Sequence, residues 1–355
     1  MPENKFHDVT VVLLAGGGGT RFWPLSTPAR PKQFLTELTG RSLFQQAVER
    51  ARLLAPPDRI FILTNQAFAA LVAEQAPEIP SANVVLEPLR RDTAAALVLG
   101  ALLVEHLAPG HIMVAMPSDH LIGPLDAFQA TLDSAVTAAR DGGLGTIGIT
   151  PTYPATGYGY LLAAKRPQAL EPMPVEKFVE KPDRARAEQY VASGRYFWNS
   201  GMFVWRAAEL LEAAKRLAPA VYGPLADLGK SFATPAFPAE LRRAFEAVQP
   251  ISIDYAVMEN SSNVWLVPAA FRWSDVGGWS AALELLPAAA NGNHVRGPAV
   301  LHDVADSVVL TDDDHPVLVA GLTGVVVVHG PGGILVCPRD RVDQIKPLVE
   351  QILRR

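Results

Sequence analysis

Between Ala15 and Leu35 the chain reads AGGGGTRFWPLSTPARPKQFL, a glycine run followed by prolines and three cations, Arg21, Arg30 and Lys32. Glycines let successive backbone N–H groups turn toward phosphate oxygens with no side chain in the way. Pro24, Pro28 and Pro31 exclude an immediate helix, so the segment is expected to be an extended loop that presents those cations. It matches neither G-x-x-x-x-G-K-[ST], because no Gly-Lys pair follows, nor the dinucleotide G-x-G-x-x-G that opens directly into a helix. A glycine-rich turn alone is weak evidence for a phosphate site. Acidic counterparts lie further along. Asp119 follows the apolar run IMVAMP, near the carboxyl end of an expected strand, where a carboxylate can hold a divalent cation. Asp275 follows another expected strand and precedes a helix, and by itself it reads as a turn or N-cap residue. Two such carboxylates could converge on one Mg²⁺, which prefers oxygen ligands, keeps waters and bridges phosphates.

These residues need a frame to hold them. Val9 to Ala15 is an unbroken apolar run, the pattern of a strand covered on both faces. Ser42 to Leu54 carries apolar residues at helical spacing, with Ser42 and Gln45 placed as a capping box. Strands are expected at Arg59 to Thr64, Asn83 to Leu86, Ile112 to Met116 and Gly145 to Ile149, separated by helical stretches such as DTAAALVLGALLVEHL and LDAFQATLDSAVTAAR. This alternation predicts an α/β fold with a doubly wound, mixed and mostly parallel sheet, whose ligands bind beyond the carboxyl ends of the strands. YGYLLAAK and VEKFVEKP read as a strand pair inserted beside that sheet, and helices return at Ala207 to Leu217 and Pro238 to Val248. A strand over Asn263 to Phe271 leads into WSDVGGW. From Asn291 onward, short apolar strands recur in PAVLHD, DSVVLTD, HPVLVAG, TGVVVVH and GGILVCP, closed by the helical RVDQIKPLVEQIL. The expected division is therefore a domain over 1–290 and a small all-β domain over 291–355.

Composition narrows the function classes. The 355 residues are 49% hydrophobic and 19% charged, as in soluble globular proteins, and the net charge of −5 argues against a nucleic-acid partner. Cys337 is the single cysteine, so no intramolecular disulfide can form. The N-terminus lacks the basic region and long apolar core of a signal peptide, and no stretch approaches a bilayer-spanning length. A cytoplasmic protein with no membrane partner is expected. Asp312 to Asp314 looks like a metal-binding D-x-D but falls between two short strands, where a solvated turn is expected. The eight histidines show no zinc spacing such as H-E-x-x-H.

Taken in order, GGGGTRFWPLS with PKQF, EPLRRDTA at Glu87 to Ala94, PSDH at Pro117 to His120, TGYGY at Thr156 to Tyr160, FVEKPD at Phe178 to Asp183, WNSGMF at Trp198 to Phe203, SIDYAVME at Ser252 to Glu259 and WSDVGGW at Trp273 to Trp279 form a longer pattern. It resembles the sugar-1-phosphate nucleotidyltransferases, and within them the mannose-1-phosphate guanylyltransferases. The resemblance implies a Rossmann-like nucleotidyltransferase domain with a short β-helix-like C-terminal domain. It implies that GTP and mannose 1-phosphate give GDP-mannose and pyrophosphate with Mg²⁺ as cofactor. Nucleotide contacts would come from Ala15, Gly16, Gly17, Gly18, Gly19, Thr20, Arg21, Glu87, Arg91, Asp92, Thr93 and Ser118. Sugar-phosphate contacts would come from Gly157, Tyr158, Glu180, Lys181, Asn199 and Asp275, and metal ligands from Asp119 and Asp275. Arg21, Lys32 and Lys181 would be the catalytic cations.

Local physics leaves some of this open. Glu180 and Lys181 would face opposite sides of a regular strand, so both can serve one ligand only where the strand departs from regular geometry. Asp92 is also a good N-cap for the helix it opens. A different sugar phosphate or nucleotide, or a catalytically silent sensor with the same fold, are the alternatives. The cations and carboxylates that a silent sensor would have lost are all present. Longer relatives of the family continue into a cupin-like isomerase domain, whereas this sequence ends at Arg355, so no mannose-6-phosphate isomerase activity is expected. The C-terminal strands lack a strict hexapeptide repeat, and their unclosed edges are expected to pack against the catalytic domain or a second subunit, with a homodimer the expected assembly.

Overall fold

The structure, a computed structural model, describes residues 5–19, 21–165, 168–283, 286, 288–289, 291–311 and 315–353. Thr20 and Asp312 to Asp314 lie outside the described residues. The chain divides into two compact units. The first comprises Met1–Gly16, Ala47–Ser118 and Ile122–Trp273, and the second Gly17–Gln46, Asp119–Leu121 and Ser274–Arg355.

The first unit is built on a nine-stranded sheet. Its strands are β1 (Val9–Leu14), β2 (Ile60–Asn65), β3 (Val84–Glu87), β4 (Ile112–Pro117), β6 (Leu144–Ile149), β7 (Gly159–Ala163), β8 (Met173–Glu180), β9 (Tyr196–Arg206) and β10 (Val264–Pro268), while β5 (Leu121–Gly123) stands outside it. Their order is β3-β2-β1-β4-β9-β6-β10-β8-β7, and β9 also pairs with β7. Pairing is parallel between β3, β2, β1 and β4 and between β6 and β10, whereas β8 and β9 run against their neighbours. The mixed, doubly wound α/β sheet expected from the sequence is thus present.

Two expectations change. The pair YGYLLAAK and VEKFVEKP is part of the sheet, as β7 and β8 at one end of it. The strand β9, carrying WNSGMF, separates β4 from β6. Its Asn199, Ser200 and Gly201 interrupt the apolar texture, and Gly201 sits at φ 71°, which is why the run did not read as a strand. The helix Asp92–Leu107 matches its predicted span, and its residues Ala94 to Val104 are all buried. An apolar run without a polar face must lie inside, and here it forms part of the main core with Phe203, Trp205 and Leu266.

In the second unit, the described residues of the glycine–proline segment form one 3-10 turn, Lys32–Phe34, and no α-helix or strand. Side chains hold the rest in place. Phe22, Trp23, Leu25 and Leu35 are buried with Val276, Trp279, Val308, Val326 and Val342 in one apolar cluster. The Trp279 indole N–H donates to the Trp23 carbonyl at 3.1 Å, and Phe22 meets Trp279 edge to face at 5.3 Å. The segment runs on to the helix Leu43–Arg52, whose capping box is made: Ser42 Oγ accepts the Gln45 N–H and Gln45 Oε1 accepts the Ser42 N–H, each at 3.0 Å.

The C-terminal strands stack in parallel rungs. His294 lies opposite Val308 and Val308 opposite Val326, while Ala299 lies opposite Val317 in a second small sheet. The chain alternates between these sheets, which gives a short β-helix-like unit. The antiparallel strand Gly333–Pro338, a 3-10 segment Arg339–Ile345 and the helix Lys346–Leu353 close it.

Candidate active site

Gly17, Gly18, Gly19, Arg21, Lys32, Asp119, His120 and Asp275 line one cavity of about 410 Å³ in the second unit. Among the described residues, Lys32 is one of its two lining lysine and arginine cations. Only 7% exposed, it donates from Nζ to the Asp275 carbonyl at 2.7 Å and the Val276 carbonyl at 3.4 Å, and stands 2.9 Å from Asp119 Oδ2. The backbone is bent to permit this. Val276 sits at φ 46°, an outlier for a β-branched residue, which argues that the surroundings over-determine this turn. Gly19 leaves the space Lys32 needs, since a Cβ there would come within 2.7 Å of Lys32 Cγ, and the Gly19 carbonyl accepts the Lys32 N–H at 3.1 Å.

Asp119 is part-buried, with His120 Nε2 at 3.6 Å from its other oxygen. Burial raises its pKa, but the Lys32 ammonium and His120 outweigh burial and hold the carboxyl below its ordinary value. Arg21 donates to the Gly277 carbonyl at 3.1 Å, and a Cβ on Gly277 would meet the Asp275 carboxylate at 2.9 Å. Arg30 instead pairs with Glu37 and does not line the cavity. Ile345, Val349 and Glu350 do line it. Nothing in the apolar pattern of the closing 3-10 segment and helix marks those three as cavity residues.

In the first unit, Ala15 and Gly16 follow β1, and their carbonyls accept from Thr64 Oγ1 at 3.1 Å and Asn65 Nδ2 at 3.5 Å. Ser118 donates to the Leu14 carbonyl at 2.8 Å. Glu87 ends β3 beside Gly16, where a Cβ would come within 3.2 Å of Glu87 Oε2. Burial alone raises the Glu87 carboxyl to about 7. Arg91 Nε donates to the Phe245 carbonyl at 2.6 Å, and Thr93 Oγ1 accepts the Ile253 N–H at 2.9 Å. Asp92 lies at φ 64°, and its Oδ1 takes the N–H of Thr93 at 2.7 Å, so Arg91 occupies the cap position.

A second cluster in the first unit gathers Glu180, Lys181 and Asn199. β8 ends at Glu180, and Lys181 turns to φ 45°, which is the break in strand geometry that lets both side chains meet. Lys181 Nζ stands 2.7 Å from Glu180 Oε1, and this hydrogen bond raises the ammonium's pKa. Gly159 makes room for Glu180, because a Cβ there would lie 2.5 Å from Oε2. The Tyr158 carbonyl accepts the Lys181 N–H at 3.2 Å, and its ring packs against Trp198 and Trp273 at 5.2 and 5.4 Å. Around Gly157 there is open space. Asn199 Nδ2 donates to Asp254 Oδ1 at 2.9 Å. Asp254 did not figure among the sequence candidates; the SIDYAVME motif was its one signal.

Among the described residues no group of three or more His, Cys, Asp and Glu side chains could hold a metal ion, and no helix is long and apolar enough to cross a membrane. Asp119 and Asp275 both line this cavity and carry oxygen donors, the ligand type suited to a hard cation that keeps waters and takes its remaining ligands from phosphate.

Comparison with known proteins bears on both units. The nucleotidyl transferase family profile matches residues 10–292, and a mannose-phosphate isomerase/GMP-like β-helix domain profile matches residues 297–352. The xanthan biosynthesis protein XanB of Xanthomonas campestris pv. campestris is 38% identical over 349 residues, 97% of this chain and 73% of that protein. A mannose-1-phosphate guanylyltransferase of Escherichia coli K12 is 36% identical over 99% of this chain and 74% of its own length. A crystal structure from Thermus thermophilus, described as a mannose-1-phosphate geranyltransferase, superposes with a TM-score of 0.85 at 32% identity, covering 98% of this chain and 99% of that one.

Proposed function

We propose, from the premise that this chain belongs to the nucleotidyl transferase family, that it transfers GMP from GTP to α-D-mannose 1-phosphate, giving GDP-mannose and pyrophosphate. The observation that carries this reading is the cavity in which Lys32, Arg21, Asp119 and Asp275 surround Gly17 to Gly19. That combination suits a polyanion whose charge must be balanced as a phosphorus–oxygen bond breaks.

The attacking phosphate oxygen of mannose 1-phosphate is ionised at neutral pH, so the residues need not supply a base. The nucleophile displaces pyrophosphate from the α-phosphorus in line, with no covalent intermediate, and positioning together with fixed charge supplies most of the acceleration. Arg21 and the glycine N–H groups would hold the triphosphate. Lys32, locked by three oxygen partners, would present its charge without moving when pyrophosphate leaves. Lys181 would take the phosphate of the sugar phosphate, with Glu180, Gly157, Tyr158 and Asn199 on the sugar. Ala15, Gly16, Glu87, Arg91, Asp92, Thr93 and Ser118 would form the nucleotide side. Asp119 and Asp275 would hold Mg²⁺, which when bound neutralises charge on the α-phosphate. The same reading assigns transfer to residues 1–290, with 291–355 as a β-rich appendage, and has the protein act as a cytoplasmic homodimer.

Purified protein offered each common nucleoside triphosphate with mannose, glucose or galactose 1-phosphate tests the reading. Pyrophosphate release is expected to be fastest with GTP and mannose 1-phosphate, with GDP-mannose as the product. Release with no sugar nucleotide formed, or a clear preference for another pair, would overturn it.

A further inference from the structure

The segment SIDYAVME has no part in the transfer chemistry above, yet it reaches the Glu180–Lys181–Asn199 cluster from two points. Ser252 Oγ accepts the Tyr255 N–H at 3.4 Å and caps the helical turn Ile253–Ala256. From that turn Asp254 Oδ1 accepts Asn199 Nδ2–H at 2.9 Å, and beyond it Glu259 Oε1 accepts the Glu180 N–H at 2.9 Å. The opposite end of the Asn199 amide is fixed as well, with Oδ1 2.9 Å from the Thr146 hydroxyl and 3.3 Å from the Gly201 N–H. An amide held at both ends cannot rotate to suit a ligand, so its orientation is decided before one arrives.

We propose that Asp254 is a positioning residue of the sugar-phosphate site, fixing the Asn199 amide and setting the charge that Lys181 offers to the ligand's phosphate. This rests on the reading of Glu180, Lys181 and Asn199 as the groups that meet the sugar phosphate. The charges acting on Asp254 are Glu180 and Lys181. Tyr255 and Glu259 flank it on its own segment, and the helix joined to that turn through Thr93 brings Arg91 and Asp92 at its start. Burial first, and then the neighbouring Glu180 carboxylate, raise Asp254 to about 7. In its neutral form it leaves Lys181 a single carboxylate partner. Once ionised it adds a second negative charge beside that ammonium, and a phosphate dianion is held less tightly. Affinity for the sugar phosphate therefore falls as pH rises through the neutral range, relative to a variant that cannot ionise.

The test is a pair of substitutions, Asp254→Asn and Asp254→Leu, each compared with wild type at roughly pH 6 and pH 8.5, either side of that range. Dissociation constants for mannose 1-phosphate and for GTP are read from intrinsic tryptophan fluorescence, and KM and kcat from pyrophosphate release. Asp254→Asn is expected to match wild type at the lower pH and to bind mannose 1-phosphate roughly threefold to tenfold more tightly at the higher, with GTP constants unchanged. Asp254→Leu is expected to weaken mannose 1-phosphate roughly tenfold at both, again sparing GTP. If Asp254→Leu does not fold, the pH dependence of the Asp254→Asn ratio decides alone. A flat ratio in an active enzyme overturns this inference and leaves the proposed function standing. A wild-type protein that binds none of the three hexose 1-phosphates overturns both.

Discussion

Lys32 and Lys181 are both read as cations for phosphate, yet their surroundings differ in kind. Lys32 is 7% exposed and its ammonium faces two carbonyls and the Asp119 carboxylate. The Lys181 side chain is 57% exposed, rides on a left-handed backbone position and has Glu180 as its ion-pair partner. Moving Lys32 would strand buried oxygens, so its charge acts as a fixed field. Water reaches the Lys181 ammonium although the Glu180 side chain is only 7% exposed, so on the proposed reading Lys181 would turn from Glu180 to an incoming phosphate more readily than Lys32 could leave its partners. On the proposed reading, the Lys32 region would be preorganised for the charge that develops during reaction, and the Lys181 region would adapt to what it binds.

The largest effect expected to test that contrast is Lys32→Met. It should lower kcat/KM by on the order of 10²–10³, about 2.7–4 kcal/mol. It should also destabilise the fold by about 2 kcal/mol, because Asp119 loses its counter-charge. Steady-state kinetics and thermal unfolding check the two together, and a variant as stable as wild type would break the contrast. Lys181→Met should instead raise KM for mannose 1-phosphate roughly tenfold or more and leave KM for GTP unchanged, with a smaller loss of stability than Lys32→Met, because only the Glu180 carboxylate is left without its partner and water reaches the site of the ammonium. A marked loss of stability there would mean that Lys181 is structural too.

The smallest effect comes from carboxyls, which divide the same way. Asp119 has a cation and its pKa is lowered, whereas Glu87 has burial alone and its pKa is raised to about 7 from an ordinary 4.5. A raised folded-state pKa means that the folded protein binds the proton more tightly. The contribution of Glu87 to stability is therefore full at low pH, falls as pH climbs between 4.5 and about 7, and is level above that. Glu87→Gln should be stabilising by about 1–2 kcal/mol near pH 8 and close to neutral near pH 5, the figure reduced for residual solvent contact. Urea unfolding at the two pH values measures it, and an equal gain at both would show that charge burial is not the cause.

What the sequence revealed follows from which forces are local. Buried strands and the helix Asp92–Leu107 were legible because an unbroken apolar run can lie only inside. The capping box at Ser42 and Gln45 was legible because both partners are three residues apart. The strand β9 was not, since Asn199 and Gly201 sit mid-strand, where Asn199 bonds to the distant Asp254 and Gly201 takes a positive φ. Neither was the anchoring of Phe22 and Trp23 on residues beyond Val276, a contact made by chain returning from far away. In the candidate site, Gly19 and Lys32 could be named from the loop, but not their mutual fit or the bend at Val276 that supplies two carbonyls to the ammonium. Asp254 escaped because nothing in its neighbours in sequence foretells Asn199.

The most direct measurement uses GTP with a single sulfur-substituted stereocentre at the α-phosphorus, mannose 1-phosphate and Mg²⁺, followed by analysis of the product's configuration. The account predicts the GDP-mannose analogue with inverted configuration at that phosphorus. No sugar nucleotide, or retention of configuration, would contradict it.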